Sequence, residues 1–183
     1  MGNNNDIAQM LALLHELQGI DFVRQLKLIT ERHEFTPLPN EQSIYIVGGE
    51  TSPDFANLLI AARKAVEHGY RVFILPNPKG IRTADFIFER KGVYKMFDLK
   101  TIIGIGSADS RLSESIYQTN RVLLNIIADY KPSALARSIK RYFELNPHAR
   151  EVMLFKGKKQ LSITRKSLED KDFFRTFIRR YTK

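Results

Sequence analysis

The chain has 183 residues, 43% of them hydrophobic, enough for one ordinary domain with a real core and an appendage. Its 29 Lys and Arg against 20 Asp and Glu leave a net charge of +9, which suits a polyanionic partner without choosing among nucleic acid, an acidic protein and plain solubility. The absence of cysteine excludes disulfides and thiolate metal sites and leaves the redox compartment open.

The N-terminal residues carry no basic signal region, and no apolar run nears the ~20 residues of a membrane span. Gly2 lacks the Ser or Thr that myristoylation needs, since position 6 is Asp. The expectation is a soluble, cytoplasmic protein without a membrane partner. Apolar residues from Ile7 to Ile29 recur at threes and fours and predict helix over 7–33. Gly19 suggests a break, so two helices, 7–18 and 21–33, are an equal reading, with Asp6 and Asp21 as N-caps. His15 and His33 have no second ligand at metal spacing. Glu34–Gln42, with Pro37 and Pro39, reads as a linker.

Ile44–Val47 is a short strand, followed by a Gly48-Gly49-Glu50 turn that fits neither the dinucleotide nor the P-loop spacing. Ser52-Pro53-Asp54 opens a helix running to His68, with Gly69 as its stop. Arg71–Leu75 is a buried-type strand, and Pro76–Gly80 a loop. Asp85–Phe88 and Val93–Lys100 then flank Glu89-Arg90-Lys91-Gly92 as a hairpin. On its second strand Asp98 and Lys100 share one face while Leu99 takes the other, and Asp85 at the mouth of the first strand approaches them. One amine and two carboxylates at a sheet edge point to metal-dependent phosphodiester chemistry.

Further along, Asp109 caps a helix over 111–120, Val122–Ile127 is a central strand, and Lys131-Pro132-Ser133 opens a helix over 134–145. Glu151–Phe155 and Gln160–Thr164 form a second hairpin. Ser167–Lys183 is a basic amphipathic helix, read as a cap on the core in preference to a free arm. The order of elements gives an α/β fold with a mixed central sheet flanked by helices. The domain reading is an N-terminal helical appendage and linker over 1–43, a main domain over 44–166 and a C-terminal helix over 167–183.

Three stretches resemble a known family: Gly69-Tyr70-Arg71-Val72, then Gly80-Ile81-Arg82-Thr83-Ala84-Asp85-Phe86, then Phe97-Asp98-Leu99-Lys100. With Gln118–Ile126 and the closing hairpin they are similar, in order and spacing, to the C-terminal tRNA nuclease domain of CdiA-type contact-dependent growth-inhibition toxins, within the PD-(D/E)xK nuclease-like group. The resemblance covers about residues 50–165. It implies a restriction-endonuclease-like fold and a metal-dependent nuclease. Its catalytic set would be Asp85, Asp98, Lys100 and Gln118. Mg2+ or Mn2+ would be held by Asp85 and Asp98, and its partners would be tRNA or another structured RNA and a cognate immunity protein. Ala84 stands where the family has Pro, and Asp98 where it usually has Glu. The acidic residue of the first helix falls near Asn57, so Asp54, one turn earlier, is the substitute metal ligand.

Arg63, Lys64, Lys79, Arg82, Arg111 and Arg121 are the candidate nucleic-acid contacts. Tyr70, Tyr94 and Tyr117 are assigned to packing in preference to base stacking. Three other readings stay open. One is a non-catalytic nucleic-acid-binding module on a degenerate scaffold, suggested by Asn57. Another is a DNA nuclease. The last is a protein-interaction partner for an acidic surface.

Overall fold

A computed structural model describes residues 2–14, 19–48, 52–78, 80–81, 83–116 and 119–183. It divides into two compact units, 1–98 and 99–183. The element order is α1 (Gly2–Leu13), α2 (Gly19–Thr30), β1 (Phe35–Pro37), β2 (Ile44–Val47), α3 (Phe55–Glu67), β3 (Arg71–Ile74), β4 (Phe86–Arg90), β5 (Val93–Ile102), α4 (Ala108–Glu114), β6 (Arg121–Ile126), α5 (Pro132–Leu145), β7 (Glu151–Lys156), β8 (Lys159–Thr164), α6 (Arg165–Leu168) and α7 (Phe173–Thr182). Each unit pairs a mixed sheet with helices, as the alternation of patterns predicted.

In the first unit β1 runs antiparallel to β2, β2 parallel to β3 through the α3 crossover, and β3, β4 and β5 antiparallel in succession. Register puts Phe73, Ile87 and Met96 on one face. There they form one apolar cluster with Ile7, Leu11, Leu14, Leu26 and Ile29. The two N-terminal helices, expected as an appendage, are therefore part of this unit's core. The alternate residues Phe86, Phe88 and Phe97 face the other way and join Tyr70 in a chain of ring contacts 5.1–5.3 Å apart.

Several local expectations need correction. The linker contains a strand, β1: Pro37 lacks an N–H but lies on the outermost strand, where the ladder tolerates it. Asp6 lies inside α1, because the asparagines before it belong to the helix as well. Ser52-Pro53-Asp54 forms a turn ahead of α3. The Ser52 hydroxyl accepts from the Asp54 amide at 3.2 Å, its carbonyl from Phe55 at 2.9 Å, and Asp54 is the N-cap. The hairpin turn tightens to Lys91-Gly92, at φ of 53° and 78°, the two left-handed residues of a type I′ turn.

In the second unit β6 runs parallel to β7 and β7 antiparallel to β8. Val122, Val152 and Ile163 align across the three strands, as do Leu124, Leu154 and Leu161. This face packs under α4, α5 and α7 through Leu112, Ile139, Phe143, Phe173 and Phe177. Two boundaries differ from expectation. α4 starts at Ala108, after Ser107, and ends at Glu114. The tail is two helices broken at residues 169–172, with α6 held by a Thr164–Ser167 capping box. As expected, α7 caps the core: Phe173, Phe177 and Tyr181 recur at fours and are buried.

Candidate active site

The first unit positions the two carboxylates by backbone pairing. The Asp85 amide donates to the Phe97 carbonyl at 2.9 Å, and the Asp85 carbonyl accepts from the Leu75 amide at 2.9 Å. Asp85 is thus pinned between the end of β3 and β5, just before the Phe86–Phe97 pair that starts the β4 ladder. Asp98 follows Phe97 directly and is 2% exposed, while Asp85 is half-buried. The period of two places Asp98 on the β5 face that carries Tyr94 and Met96. The Thr83 hydroxyl ties the approaching loop to the Pro76 carbonyl at 3.1 Å.

Asp54 is exposed at the start of α3 and accepts a hydrogen bond from the Asn57 amide at 2.6 Å. The substitute ligand is therefore engaged with the very asparagine it was expected to replace. Among the described residues, no three His, Asp or Glu side chains gather as a metal-binding group. Asp85 and Asp98 are both hard oxygen donors on neighbouring backbone. Such a pair suits Mg2+ or Mn2+, which use one or two carboxylates and complete their shell with water and phosphate.

The second unit begins with the rest of β5. Lys100 is buried, and its ammonium lies 3.6 Å from a Glu114 carboxylate oxygen that also accepts from Arg111 at 3.0 Å. Glu114 was absent from the sequence-predicted set. Its signal there was only the Arg111–Glu114 spacing of three on one helix face. Gln118, Lys79 and Arg82 lie outside the described residues, as do His15 and Tyr117.

The remaining predicted cations are engaged within the fold. Arg63 pairs with Glu41, and Lys64 is half-buried on α3. Arg121 pairs with Glu151 at 3.3 Å across the aligned positions of β6 and β7. Burial pulls the Arg121 guanidinium below its ordinary pKa, against the opposing pull of Glu151. Glu151 is 2% exposed and also accepts from the Ser162 hydroxyl at 2.7 Å. Tyr70 and Tyr94 are buried, in line with packing roles, and Tyr70 lies 4.3 Å beneath the Arg90 guanidinium. No described helix is long and apolar enough to cross a membrane.

No family model matches the sequence, and no curated protein matches it. Among solved structures, the chain is similar to one in a CdiA-CT/CdiI toxin and immunity complex from Burkholderia pseudomallei. Identity is 18% and the TM-score 0.45, over 65% of this chain and 98% of that one.

Proposed function

We propose that the chain is a metal-dependent phosphodiesterase acting on nucleic acid, an RNA nuclease whose substrate is tRNA or a similarly structured RNA. The observation that carries this reading is the backbone pairing of Asp85 with Phe97, which sets one carboxylate residue against the strand position beside a second, buried one. Lys100, two residues beyond Asp98 on the same strand, shares its face by the alternation of β5. The choice of RNA rests on the sequence resemblance described above, which also supplies Gln118 as the fourth residue and a cognate immunity protein as partner.

Phosphodiester cleavage needs charge neutralised on the phosphoryl oxygens, an aligned nucleophile and a stabilised leaving oxygen. A divalent cation bound here supplies Lewis-acid neutralisation and a more acidic water. Asp85 and Asp98 would hold the cation through hard oxygens, and the low exposure of Asp98 keeps bulk water from that side. Lys100 orients the attacking water or offsets the developing negative charge. Its ion pair with Glu114 restrains the flexible lysine stem, a positioning role for Glu114. In an RNA substrate the 2′-hydroxyl is a second available nucleophile, which Lys100 would serve equally well.

The test is incubation of the purified chain with total tRNA and with plasmid, in Mg2+, Mn2+ or EDTA. Cleavage of tRNA in either metal is expected. Asp98→Asn should slow it at least about 100-fold, the scale of losing one preorganised electrostatic group, with an unchanged circular dichroism spectrum. A folded protein that cuts neither substrate in any metal sinks the catalytic reading. The Asp54–Asn57 hydrogen bond then favours the second one, a nucleic-acid-binding module on a degenerate scaffold. Cleavage of plasmid but not tRNA moves the substrate to DNA.

A further inference from the structure

We propose that the solvent face of α7 is the surface that grips the nucleic-acid backbone, through Arg179, Arg180 and Lys183. Charge is divided unevenly between the two units. Residues 1–98 hold 11 Lys and Arg against 12 Asp and Glu, a net of −1, whereas residues 99–183 hold 18 against eight, a net of +10. The whole positive excess of the chain therefore belongs to the second unit.

Pairing within each unit sharpens the contrast. In the first, Arg24, Arg32, Arg63 and Arg71 each have a carboxylate partner. In the second, Arg179, Arg180 and Lys183 have none among the described residues, and all three are exposed. On α7 the buried residues 173, 177 and 181 define the core face. At 100° per residue, positions 175, 179 and 183 then lie on the opposite half with Thr176 and Thr182, while Arg180 stands at the flank, about 60° from the centre of the buried face. Arg175 alone in that group is paired, with Asp172 at 2.8 Å. No Asp or Glu lies within the helix itself.

Beside Arg180 a groove of about 190 Å³ runs between β8 and α6–α7, lined by Phe173 and Phe177, by Ser167 and Thr176, and by Asp170, whose carboxylate accepts from the Asp172 amide at 2.9 Å. It gives one flank of the basic face a concave wall, with Arg180 as its cation. The outer half of α7 lacks the apolar or aromatic centre that a protein interface requires. Phe174, at its margin, is partly covered by the Lys140 ammonium 5.5 Å from its ring. Unpaired guanidinium groups without an apolar centre suit phosphate, which arginine binds in a bidentate fork.

This deepens the nuclease reading and rests on it for the choice of RNA, but it is tested by binding alone. Anisotropy of labelled tRNA is measured with the full chain in EDTA, where cleavage does not enter. Changing Arg179, Arg180 and Lys183 together to Gln is expected to weaken binding at least about tenfold and to lower the salt slope by about two, each phosphate contact contributing roughly 0.7–0.9. The charge-matched control Arg24→Gln with Lys27→Gln and Lys91→Gln, in the first unit, should change binding less than about twofold. Replacing both arginines by Lys should retain most of the affinity, which loss of folding would not. In the unaltered protein, RNA should also protect Lys183 from amine acetylation. Equal binding by the triple variant, or equal affinity for poly-glutamate at matched salt, overturns the proposal and in the second case assigns the face to an acidic protein. Binding lost in the triple variant while the unaltered protein fails to cleave overturns the nuclease reading and leaves this one standing.

Discussion

Arg71 and Arg179 show how differently the two units use the same side chain. Arg71, on β3, lies directly across from Glu89 on β4 and binds its carboxylate at 2.7 Å. Arg179 projects from the solvent half of α7 with no carboxylate in reach among the described residues. In the first unit charges are matched inside the fold, and the two acids proposed for catalysis are placed by backbone pairing. In the second, an ion pair is buried between strands while a helix faces outward with unmatched cations. A net charge summed over the chain hides this, because +9 is neither unit's charge. Binding strength should therefore follow the second unit, and the first should weaken at acid pH through its matched Glu89.

The largest expected effect asks whether the two units fold separately. Phe88→Ala in the first unit and Phe143→Ala in the second, both fully buried, should each cost about 3–5 kcal/mol. If the units unfold independently, each variant lowers one of two urea transitions and leaves the other in place. One common transition, shifted equally by both, would break the comparison.

A smaller effect comes from the second unit's buried pair. Arg121→Ala strands the Glu151 carboxylate at 2% exposure and should cost about 3 kcal/mol. The double change Arg121→Met with Glu151→Leu should recover most of it in the same urea titration. Failure of the double variant to recover would mean that Ser162, or another partner of Glu151, matters more than the ion pair.

The smallest concerns pH. Burial by itself would raise the Glu89 pKa, but the Arg71 hydrogen bond and the Gly92 amide outweigh it and hold it below the ordinary 4.5. A carboxyl depressed in the folded state stabilises above its unfolded pKa, and that stability is lost as pH falls through the folded value. The first unit should thus weaken below about pH 4.5, by less than about 1 kcal/mol from this pair because Arg71 is partly exposed. Glu89→Gln should remove that increment and leave the urea midpoints of the second unit unchanged between pH 7 and 3.

Much of the fold was legible because it follows from local periodicity. The alternation in β5, the apolar run of β6 interrupted only by Asn125, and the Pro132 start of α5 each gave the observed element to within a few residues. β1 was not legible, since Pro37 and Pro39 look like a linker until an outer strand position makes the missing N–H harmless. The break between α6 and α7 was hidden for a different reason: Glu169-Asp170-Lys171-Asp172 contains no Gly or Pro to mark a stop. At the candidate site, the shared strand face of Asp98 and Lys100 could be read from spacing alone. The engagement of Asp54 by Asn57 and the place of Glu114 beside Lys100 could not, because both depend on which helix turn faces which neighbour.

By itself, the sequence determined the α/β character of the chain, a reversal within residues 89–92 and the acid-x-lysine face of β5. All of these arise within a few residues of chain, where backbone geometry fixes side-chain direction. Only the tertiary structure decided that α1 and α2 complete the first unit's core, that Arg121 is paired to Glu151, and that Arg179, Arg180 and Lys183 are left unmatched. Whether a charge is neutralised depends on long-range register and packing, such as the β6–β7 alignment that brings residue 121 beside residue 151.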